Sequence, residues 1–467
     1  MATLEHSRTL TTVNPATGET IARYGLDERG DVERKLAQAV SAQREWRATS
    51  LDERALALRA IATTLRDAVD EISQLITTEM GKTITEARGE VEKTAWLCEY
   101  CADHGAEQLA PDLVATDWAR SYVQFVPLGV VLAIMPWNYP LWQVVRAMAP
   151  AVMAGNTILL KHASNVTGCA LKLRDLVERA TGRRHLLEVV LVDSSDVAGI
   201  IADERVAAVT LTGSEAVGIA VAEVCARNLK PSVLELGGSD PFVVLADADI
   251  EAAAAGAVTA RFGNAGQSCI AGKRLVVVEA VADAFEEAFA ERVRTLAVAD
   301  PLDDATDVGP MARADLRDEL ADQLDRGLRE GGRLVAGRGP LDRPGAWFEP
   351  AIVGGVAEDN PLAREETFGP LAAVMRVTDE REAIRVANAS PYGLSSSVWS
   401  ADVERARSLA SEIEAGAVFI NTPSASDPRM PFGGVKRSGW GRELGSYGIK
   451  EFVNVQAVTV APRRQQT

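Results

Sequence analysis

The chain has 467 residues, of which 47% are hydrophobic and 25% charged, with 49 basic residues against 66 acidic ones and a formal net charge of −17 at pH 7. This length exceeds what one hydrophobic core usually supports, so two or three domains are expected. The acidic balance disfavours nucleic acid and anionic membrane as partners, and the sequence has neither a signal-peptide pattern nor a membrane-span pattern, so we expect a cytoplasmic protein.

The first half of the chain changes its periodicity near residue 110. Apolar residues recur every three and four positions through 31–110, which predicts helices. Beyond that region, short apolar runs alternate with helical stretches, a pattern typical of a parallel sheet covered on both faces. The predicted strands are 129–135, 156–162, 186–192, 206–212 and 231–237.

A second series of the same kind follows, which predicts a second α/β lobe. Its strands are 273–281, 373–379 and 417–423, with a helix through about residue 297. The segment 447–460 ends in an alternating pattern, so it can extend a sheet in another lobe or in another subunit.

The cysteines and histidines favour free thiols and no metal. The five cysteines show no regular disulfide framework, and Cys98 and Cys101 form a CxxC within a predicted helix without a second ligand pair. The four histidines have no ligand spacing.

Three residues carry the chemistry that the sequence suggests. Cys269 lies in GNAGQSC, Glu235 in ELGG and Asn138 in PWNYP. A soft nucleophile, a carboxylate and an amide are suited to covalent chemistry on a carbonyl. Taken singly, Glu235 is better explained as a helix-start or turn carboxylate, and Asn138 as a turn-capping amide before Pro140.

A possible phosphate site follows the strand 206–212. The strand runs into TGSEAVG and a helix, which is where a doubly wound sheet presents a helix N-terminus. The spacing is not GxGxxG, so Gly213 and Gly218 are also compatible with a helix-start turn and a packing glycine. Lys161, at a predicted strand end, is either a phosphate or ribose partner or a solvated lysine.

These fragments, in this order, resemble the aldehyde dehydrogenase superfamily. The resemblance covers almost the whole chain, and the agreement of order and spacing makes short motifs specific together. It implies an α/β fold with two doubly wound parallel-sheet lobes and a small β oligomerisation flap. The motifs are NPATGE (14–19), PWNYP (136–140), LLKHAS (159–164), LTGS (211–214), ELGG (235–238), GQSC (266–269), EETFGP (365–370) and PFGGVKRSGWGRE (431–443).

The resemblance implies a catalytic role for each of the three residues. Cys269 is the nucleophile that forms a thiohemiacetal and then a thioester, Asn138 donates to the oxyanion, and Glu235 activates the hydrolytic water. An ordinary thiol is only a few per cent ionised at neutral pH, so the site is expected to raise the thiolate fraction. The presence of Glu235 also makes water, rather than coenzyme A, the expected acyl acceptor.

The resemblance also implies a nicotinamide cofactor, NADP or NAD. Many NAD-preferring relatives carry a Glu where this chain has Ser164, and a neutral hydroxyl there admits a 2′-phosphate. We therefore expect dual use or a preference for NADP. The implied cofactor-binding residues are Trp137, Lys161, Ser164, Gly213, Ser214, Gly218, Glu366 and Phe368.

Within the superfamily, the chain most resembles succinate-semialdehyde dehydrogenases, so a small carboxylated aldehyde is the expected substrate. Arg146, two helical turns beyond Asn138, is a candidate carboxylate clamp, and Ser426 is a second candidate substrate contact. An Arg that some relatives carry before GQxC is Gly263 here, which leaves a broad-specificity or other short-chain aldehyde dehydrogenase as an alternative. Arg146 as a surface arginine is the other interpretation.

Two other function classes are weighed against this hypothesis. A cysteine hydrolase or acyltransferase would need a histidine base, and no histidine lies in a matching motif. An inactive dehydrogenase-like scaffold would be expected to lack one of the three catalytic residues, and all three are present.

The resemblance predicts the domain limits and the assembly. Residues 1–106 and 128–237 form the NAD(P)-binding domain, 238–445 the catalytic domain, and 107–127 with 446–467 the oligomerisation segment. A homodimer or homotetramer is expected, because an open strand edge would otherwise invite aggregation.

Overall fold

The structure is a computed structural model that describes residues 9–462. It begins with an antiparallel hairpin, which the sequence pattern did not indicate, and continues with four helices, as the periodicity of residues 31–110 predicts. Ser50 and Thr83 each form a capping box at a helix N-terminus. These elements are β1 (Thr9–Val13), β2 (Thr20–Gly25), α1 (Arg29–Trp46), α2 (Leu51–Asp67), α3 (Val69–Met80) and α4 (Ile84–Gln108).

Two strands, β3 (Asp112–Leu113) and β4 (Arg120–Pro127), then lead into the first parallel sheet. The central strands of this sheet are fully buried, which is why they appear in the sequence as unbroken apolar runs. Its elements are β5 (Val130–Met135), α5 (Trp142–Met153), β6 (Thr157–His162), α6 (Thr167–Thr181), β7 (Leu187–Val189), α7 (Val197–Ala202), β8 (Val206–Thr212), α8 (Glu215–Arg227) and β9 (Ser232–Glu235).

The second sheet has seven strands, of which all but the edge strand β12 run parallel. Its elements, with a small hairpin of β13 and β14, are β10 (Asp240–Val244), α9 (Ile250–Phe262), β11 (Gly272–Val278), α10 (Glu279–Arg294), α11 (Ala314–Arg329), β12 (Arg333–Ala336), β13 (Gly339–Pro340), β14 (Phe348–Glu349), β15 (Ala351–Gly354), α12 (Pro361–Arg364), β16 (Leu371–Val377), α13 (Glu380–Asn388), β17 (Ser395–Trp399), α14 (Val403–Ala410) and β18 (Ala417–Ile420). The strand order is β12-β15-β16-β11-β10-β17-β18.

The last segment returns to the first sheet and then leaves it. It comprises β19 (Gly439–Trp440), α15 (Gly445–Gly448) and β20 (Val453–Val460). β19 pairs with β9, so the first sheet has the order β19-β9-β8-β5-β6-β7. β20 pairs with β4 along its whole length, in a three-stranded sheet with β3.

The predicted fold class is confirmed: the molecule has two parallel-sheet lobes with helices and a separate small β sheet. Four strands of the second sheet, β10, β12, β15 and β17, were not predicted. β17 is buried throughout although three of its five residues are serines, so it has no apolar run to reveal it. None of the helices in residues 9–462 combines the length and apolar character that a bilayer crossing demands.

Candidate active site

Two cavities meet at Cys269. The first, of about 480 Å³, lies between α4, α5 and the loops 263–271 and 422–426, and we call it the α4–α5 cavity. The second, of about 320 Å³, lies at the carboxyl end of β8 and the start of α8, and we call it the β8–α8 cleft. Cys269 lines both, so a group held in either cavity has access to the same sulfur.

The loop that carries Cys269 has an unusual backbone. Asn264, Ala265 and Gly266 all have positive φ angles, of 57°, 51° and 71°. A Cβ on Gly266 would lie 2.3 Å from the carbonyl oxygen of Gly369, so only glycine permits this approach. Arg261, at the end of α9, donates to carbonyl oxygens on both sides of that contact. The loop is therefore anchored to the segment 365–370.

Asn138 lies beside the Cys269 loop. Its side-chain Nδ2 donates to the carbonyl oxygen of Gln267 at 3.0 Å, while the Nδ2 of Asn264 donates to the carbonyl oxygen of Asn138 at 3.0 Å. An amide nitrogen carries two hydrogens, so Asn138 retains one for a group at the sulfur. These reciprocal bonds fix the amide against the segment that ends in Cys269.

Glu235, at the end of β9, is buried, and among the described residues it is not part of the lining of either cavity, although its charge acts on the Cys269 thiol. Within residues 9–462, neither of its carboxylate oxygens has a hydrogen-bond partner. Burial raises its pKa well above the ordinary value, and the neighbouring carboxylate of Glu443 raises it further, whereas Arg146 opposes both. This arrangement therefore favours the protonated form of Glu235 more than an exposed position would.

The surroundings of Cys269 raise the pKa of its thiol to about 11, chiefly through burial. Arg146 and Lys273 oppose this rise, but they do not overcome it. The expectation that the site itself raises the thiolate fraction is therefore wrong for this structure. The thiol needs a base, or a further positive charge, to become a nucleophile at neutral pH.

The β8–α8 cleft has the lining that a nicotinamide cofactor requires. Gly213 and Ser214 lie on the cleft wall where β8 passes into α8, with Ser214 at the N-cap position, so the helix presents free N–H groups. The rings of Trp137 and Phe368 meet edge to face at 5.7 Å on another wall. Gly218 lies behind the cleft, where a Cβ would come within 2.5 Å of Leu236.

Lys161 and Ser164 lie further along the same sheet edge, outside the cleft lining as the described residues define it. Lys161 is the penultimate residue of β6. It pairs in register with Ile134 of β5, and Leu211 of β8 pairs with the other side of Ile134. Ser164 is exposed and opens a short 3-10 turn. Lys161 and Ser164 therefore place a cation and a neutral hydroxyl at this end of the sheet edge.

The side chain of Glu366 is held by hydrogen bonds from two other segments of the chain. One carboxylate oxygen accepts a hydrogen bond from the Gly238 N–H and another from the Lys273 ammonium, both at 3.0 Å. A Cβ on Gly237 would lie 2.2 Å from the other oxygen. The glycines of ELGG thus make room for this carboxylate at the wall of the cleft.

Arg146 and Ser426 both line the α4–α5 cavity. Arg146 is 1% exposed; it forms an ion pair with Glu443, donates to Thr212 Oγ1 at 3.3 Å and lies 4.5 Å from the centre of the Phe432 ring. The interpretation of Arg146 as a surface arginine is therefore wrong. Ser426 Oγ accepts a hydrogen bond of 2.8 Å from Lys93.

Sequence analysis missed Lys93, Glu443, Lys273 and Arg261. Lys93 is joined to the site only by contacts between distant segments, so no local pattern marks it. Glu443 ends the motif PFGGVKRSGWGRE, but nothing in that motif indicates its ion pair with Arg146. Lys273 follows Cys269 by four residues and donates to its carbonyl oxygen at 2.7 Å, a spacing that local reasoning could have noted.

Histidines and metal ligands play no visible part in this geometry. Among the histidines that the structure describes, none lines either cavity, and both ring nitrogens of His162 bond to backbone groups: Nδ1 accepts from the Ala163 N–H and Nε2 donates to the Pro140 carbonyl oxygen. Residues 9–462 hold no group of three His, Cys, Asp or Glu side chains placed to bind a metal ion.

Comparisons with known proteins agree along the whole chain. A family model described as "Aldehyde dehydrogenase family" matches residues 3–458. An aldehyde dehydrogenase of Paenarthrobacter nicotinovorans is 48% identical over 454 residues, which cover 96% of this chain and 99% of that protein. A succinate-semialdehyde dehydrogenase [NADP(+)] of Mycolicibacterium paratuberculosis is 46% identical over 97% of this chain and 96% of that protein.

A solved structure is also close in shape. Succinic semialdehyde dehydrogenase from Streptococcus pyogenes, in complex with NADP+, superposes with a TM-score of 0.95 at 36% identity, covering 97% of this chain and 100% of that chain.

Proposed function

The chain belongs to the aldehyde dehydrogenase family, and on that premise we propose that it oxidises succinate semialdehyde to succinate with NADP or NAD. The observation that carries the proposal is the meeting of two cavities at Cys269. An aldehyde in one cavity and a hydride acceptor in the other can then reach the same reacting carbon.

In the proposed reaction the Cys269 thiolate attacks the aldehyde carbon, and the oxygen becomes an oxyanion. Asn138 stabilises that oxyanion through its remaining N–H, a kind of donor worth roughly 10²–10³ in rate. A bound nicotinamide supplies the acceptor for the hydride, which leaves a thioester on Cys269. The high pKa of the free thiol means that a proton has to leave the sulfur before attack.

Glu235 is the proposed base for thioester hydrolysis. In its ionised form it takes a proton from water, the hydroxyl adds to the thioester carbon, and the sulfur leaves as the carboxylic acid is released. Burial and the neighbouring Glu443 carboxylate disfavour this ionised form, whereas Arg146 favours it. A buried carboxyl with a raised pKa is the kind of group that serves as a general base.

The proposed cofactor contacts follow the sheet edge. Gly213 and Ser214 at the start of α8 suit the pyrophosphate, with Gly218 allowing the packing behind them. The residues proposed to contact the nicotinamide and the riboses are Trp137, Lys161, Glu366 and Phe368. Ser164 leaves space and a hydrogen-bonding group for a 2′-phosphate, which supports NADP use.

The proposed substrate contacts are Arg146 and Ser426 in the α4–α5 cavity. In this arrangement the carboxylate of the aldehyde substrate lies toward Arg146 and Ser426, and its carbonyl group faces Cys269. The cavity is large enough, at about 480 Å³, for a short-chain substrate.

Initial rates for a matched pair of aldehydes test the function. Succinate semialdehyde and butanal share chain length but differ in the terminal carboxylate. We expect kcat/KM to favour succinate semialdehyde by about 10- to 100-fold, as a charged hydrogen bond predicts, with both NADP and NAD reduced. Equal values for the two aldehydes would contradict the substrate, and amide hydrolysis without nicotinamide would indicate a cysteine hydrolase.

We further propose the domain limits and assembly expected above. Sheet membership supports a boundary at residue 237, between β9 and β10, although β19 within 238–445 pairs with β9 of the first sheet. The sheet of β3, β4 and β20, together with the loop between β3 and β4, exposes Leu113, Trp118 and Val455, at 74%, 55% and 61%. Such an apolar surface is suited to a homodimer or homotetramer contact, which sedimentation of wild type and Val455→Asp would test.

A cytoplasmic location is proposed on the cysteine chemistry. All five cysteines are free, and four of them are buried. Free thiols persist in reducing compartments.

A further inference from the structure

We propose that Lys93 is a specificity-determining residue that binds the carboxylate of the aldehyde substrate, with Ser426 holding its ammonium group in place. This inference rests on the proposed function, because it names the group that recognises the substrate's charge.

Lys93 reaches the α4–α5 cavity from α4. Glu86, Glu90 and Lys93 recur at helical spacing on one face of α4, and all three line the cavity that ends at Cys269. The Lys93 ammonium donates to Ser426 Oγ at 2.8 Å and lies 4.5 Å from the centre of the Trp142 ring. A hydroxyl and an aromatic face thus fix the cation without neutralising it.

The carboxylates whose charges act on Lys93 already form ion pairs with other basic residues. Asp427 pairs with Arg429 at 2.6 Å, and Glu90 pairs with Lys82 at 2.6 Å. Within the described range 9–462, no carboxylate oxygen lies within 4 Å of the Lys93 ammonium, although the charges of both groups act on it.

Arg146 is the other basic residue among those that line this cavity, and its guanidinium is paired with Glu443. In the part of the chain that the structure describes, Lys93 is therefore the cation of the cavity that lacks a carboxylate partner. A bound carboxylate would supply that partner and satisfy an ammonium donor.

The titration of Lys93 gives the proposal a signature. Burial and, to a smaller extent, the charge of Arg146 lower its pKa to about 8, while Asp427 and Glu90 act in the opposite direction. Glu86 also faces the cavity, but it accepts a hydrogen bond from the Asn264 N–H. A bound carboxylate favours the charged form of Lys93, so carboxylate affinity is complete below pH 8 and falls as pH rises through that value.

Lys93→Met tests the inference, with Lys93→Arg as the conservative variant. Methionine keeps an unbranched chain against Trp142 and removes the charge, whereas arginine retains it. Arg88→Met is the matched control, because it removes one positive charge from the same helix at a site that is paired with Asp304 on the surface. The measurements are kcat/KM for succinate semialdehyde and for butanal, and competitive inhibition by succinate, from pH 6.5 to 9.5.

We expect Lys93→Met to reduce the ratio of the two kcat/KM values by roughly 10- to 100-fold at pH 7, mainly through KM. Lys93→Arg should restore most of that ratio and move the pH-dependent loss of succinate inhibition to higher pH. Butanal turnover reports whether each variant is folded, and Arg88→Met should keep the wild-type ratio.

The outcomes separate this inference from the proposed function. A wild-type preference for succinate semialdehyde that survives in Lys93→Met at every pH would overturn the role of Lys93 and leave the function standing. Absence of any preference in the wild type would overturn both. Equal loss for both aldehydes in Lys93→Met, with no change in the pH dependence of succinate inhibition, would show that Lys93 acts only in packing.

Discussion

Arg146 and Glu443 form an ion pair that is almost completely buried, with 1% and 4% of the two residues exposed. The pair lies between the α4–α5 cavity and Glu235, whose pKa both partners influence. A change to either residue therefore acts on the stability of the fold and on the catalytic carboxyl together.

Arg146→Met is expected to lower the free energy of unfolding by about 3–5 kcal/mol, because it leaves the Glu443 carboxyl buried without its cation. Urea denaturation measures this loss. Arg146→Met combined with Glu443→Gln should recover a large part of it, since both charges are then absent. A single variant as stable as wild type would contradict the pairing.

Alkylation of the protein without nucleotide should report the high pKa of the Cys269 thiol. We expect the rate of inactivation by iodoacetamide to rise nearly tenfold per pH unit from pH 7 to 9.5, because the thiolate fraction grows steadily below a pKa of about 11. The other four cysteines are at most 5% exposed, so Cys269→Ala should take up almost no label. A rate that levels off below pH 8 would be inconsistent with a buried, protonated thiol.

Glu235→Gln should separate the two halves of the proposed reaction. Without the base, thioester hydrolysis slows by about 10²–10⁴, while the first reduction still occurs, so stopped-flow absorbance should show a burst of one reduced nicotinamide per site. In the wild type, steady-state turnover should increase with pH as the raised pKa of Glu235 is passed. Glu443→Gln should move this increase to lower pH, since it removes a negative neighbour. A full loss of the burst in Glu235→Gln would argue against this division of roles.

Ser164→Glu should shift the cofactor preference toward NAD. A carboxylate at this exposed position beside Lys161 repels a 2′-phosphate and can accept a hydrogen bond from a 2′-hydroxyl. We expect kcat/KM with NADP to fall by about 100-fold and the value with NAD to change far less. Ser164→Ala is the control, because it adds no charge. Equal effects of Glu and Ala would show that charge at residue 164 does not select the nucleotide.

The fold was predictable where burial is complete and local. β5, β6 and β8 are apolar along their length because helices cover both faces of the sheet, and that pattern is visible in the sequence. β17 is equally buried but rich in serine, and its Ser395 hydroxyl donates to the Asp240 carboxylate of β10. Its burial depends on tertiary contacts that no local window contains.

The candidate site likewise contains residues that the sequence predicts and residues that it does not. Cys269, Asn138 and Glu235 lie in motifs that the sequence displays, and the structure brings Asn138 against the Cys269 loop. The ion pair of Arg146 was not predictable, because Glu443 lies almost 300 residues further along the chain. Lys93 was missed for the same reason: its relation to Ser426 exists only after α4 packs beside the loop 422–426.

The close approach of Gly266 to the Gly369 carbonyl has a consequence for how such a protein can diverge. The segment that bears the sulfur and the segment that bears Glu366 and Phe368 cannot shift independently, since one rests on the backbone of the other. A lineage that reshaped the latter to accept a bulkier nucleotide would misplace its own sulfur. A change in nucleotide preference is therefore easier to achieve by substitutions at the other end of the sheet edge, because Lys161 and Ser164 lie apart from this contact.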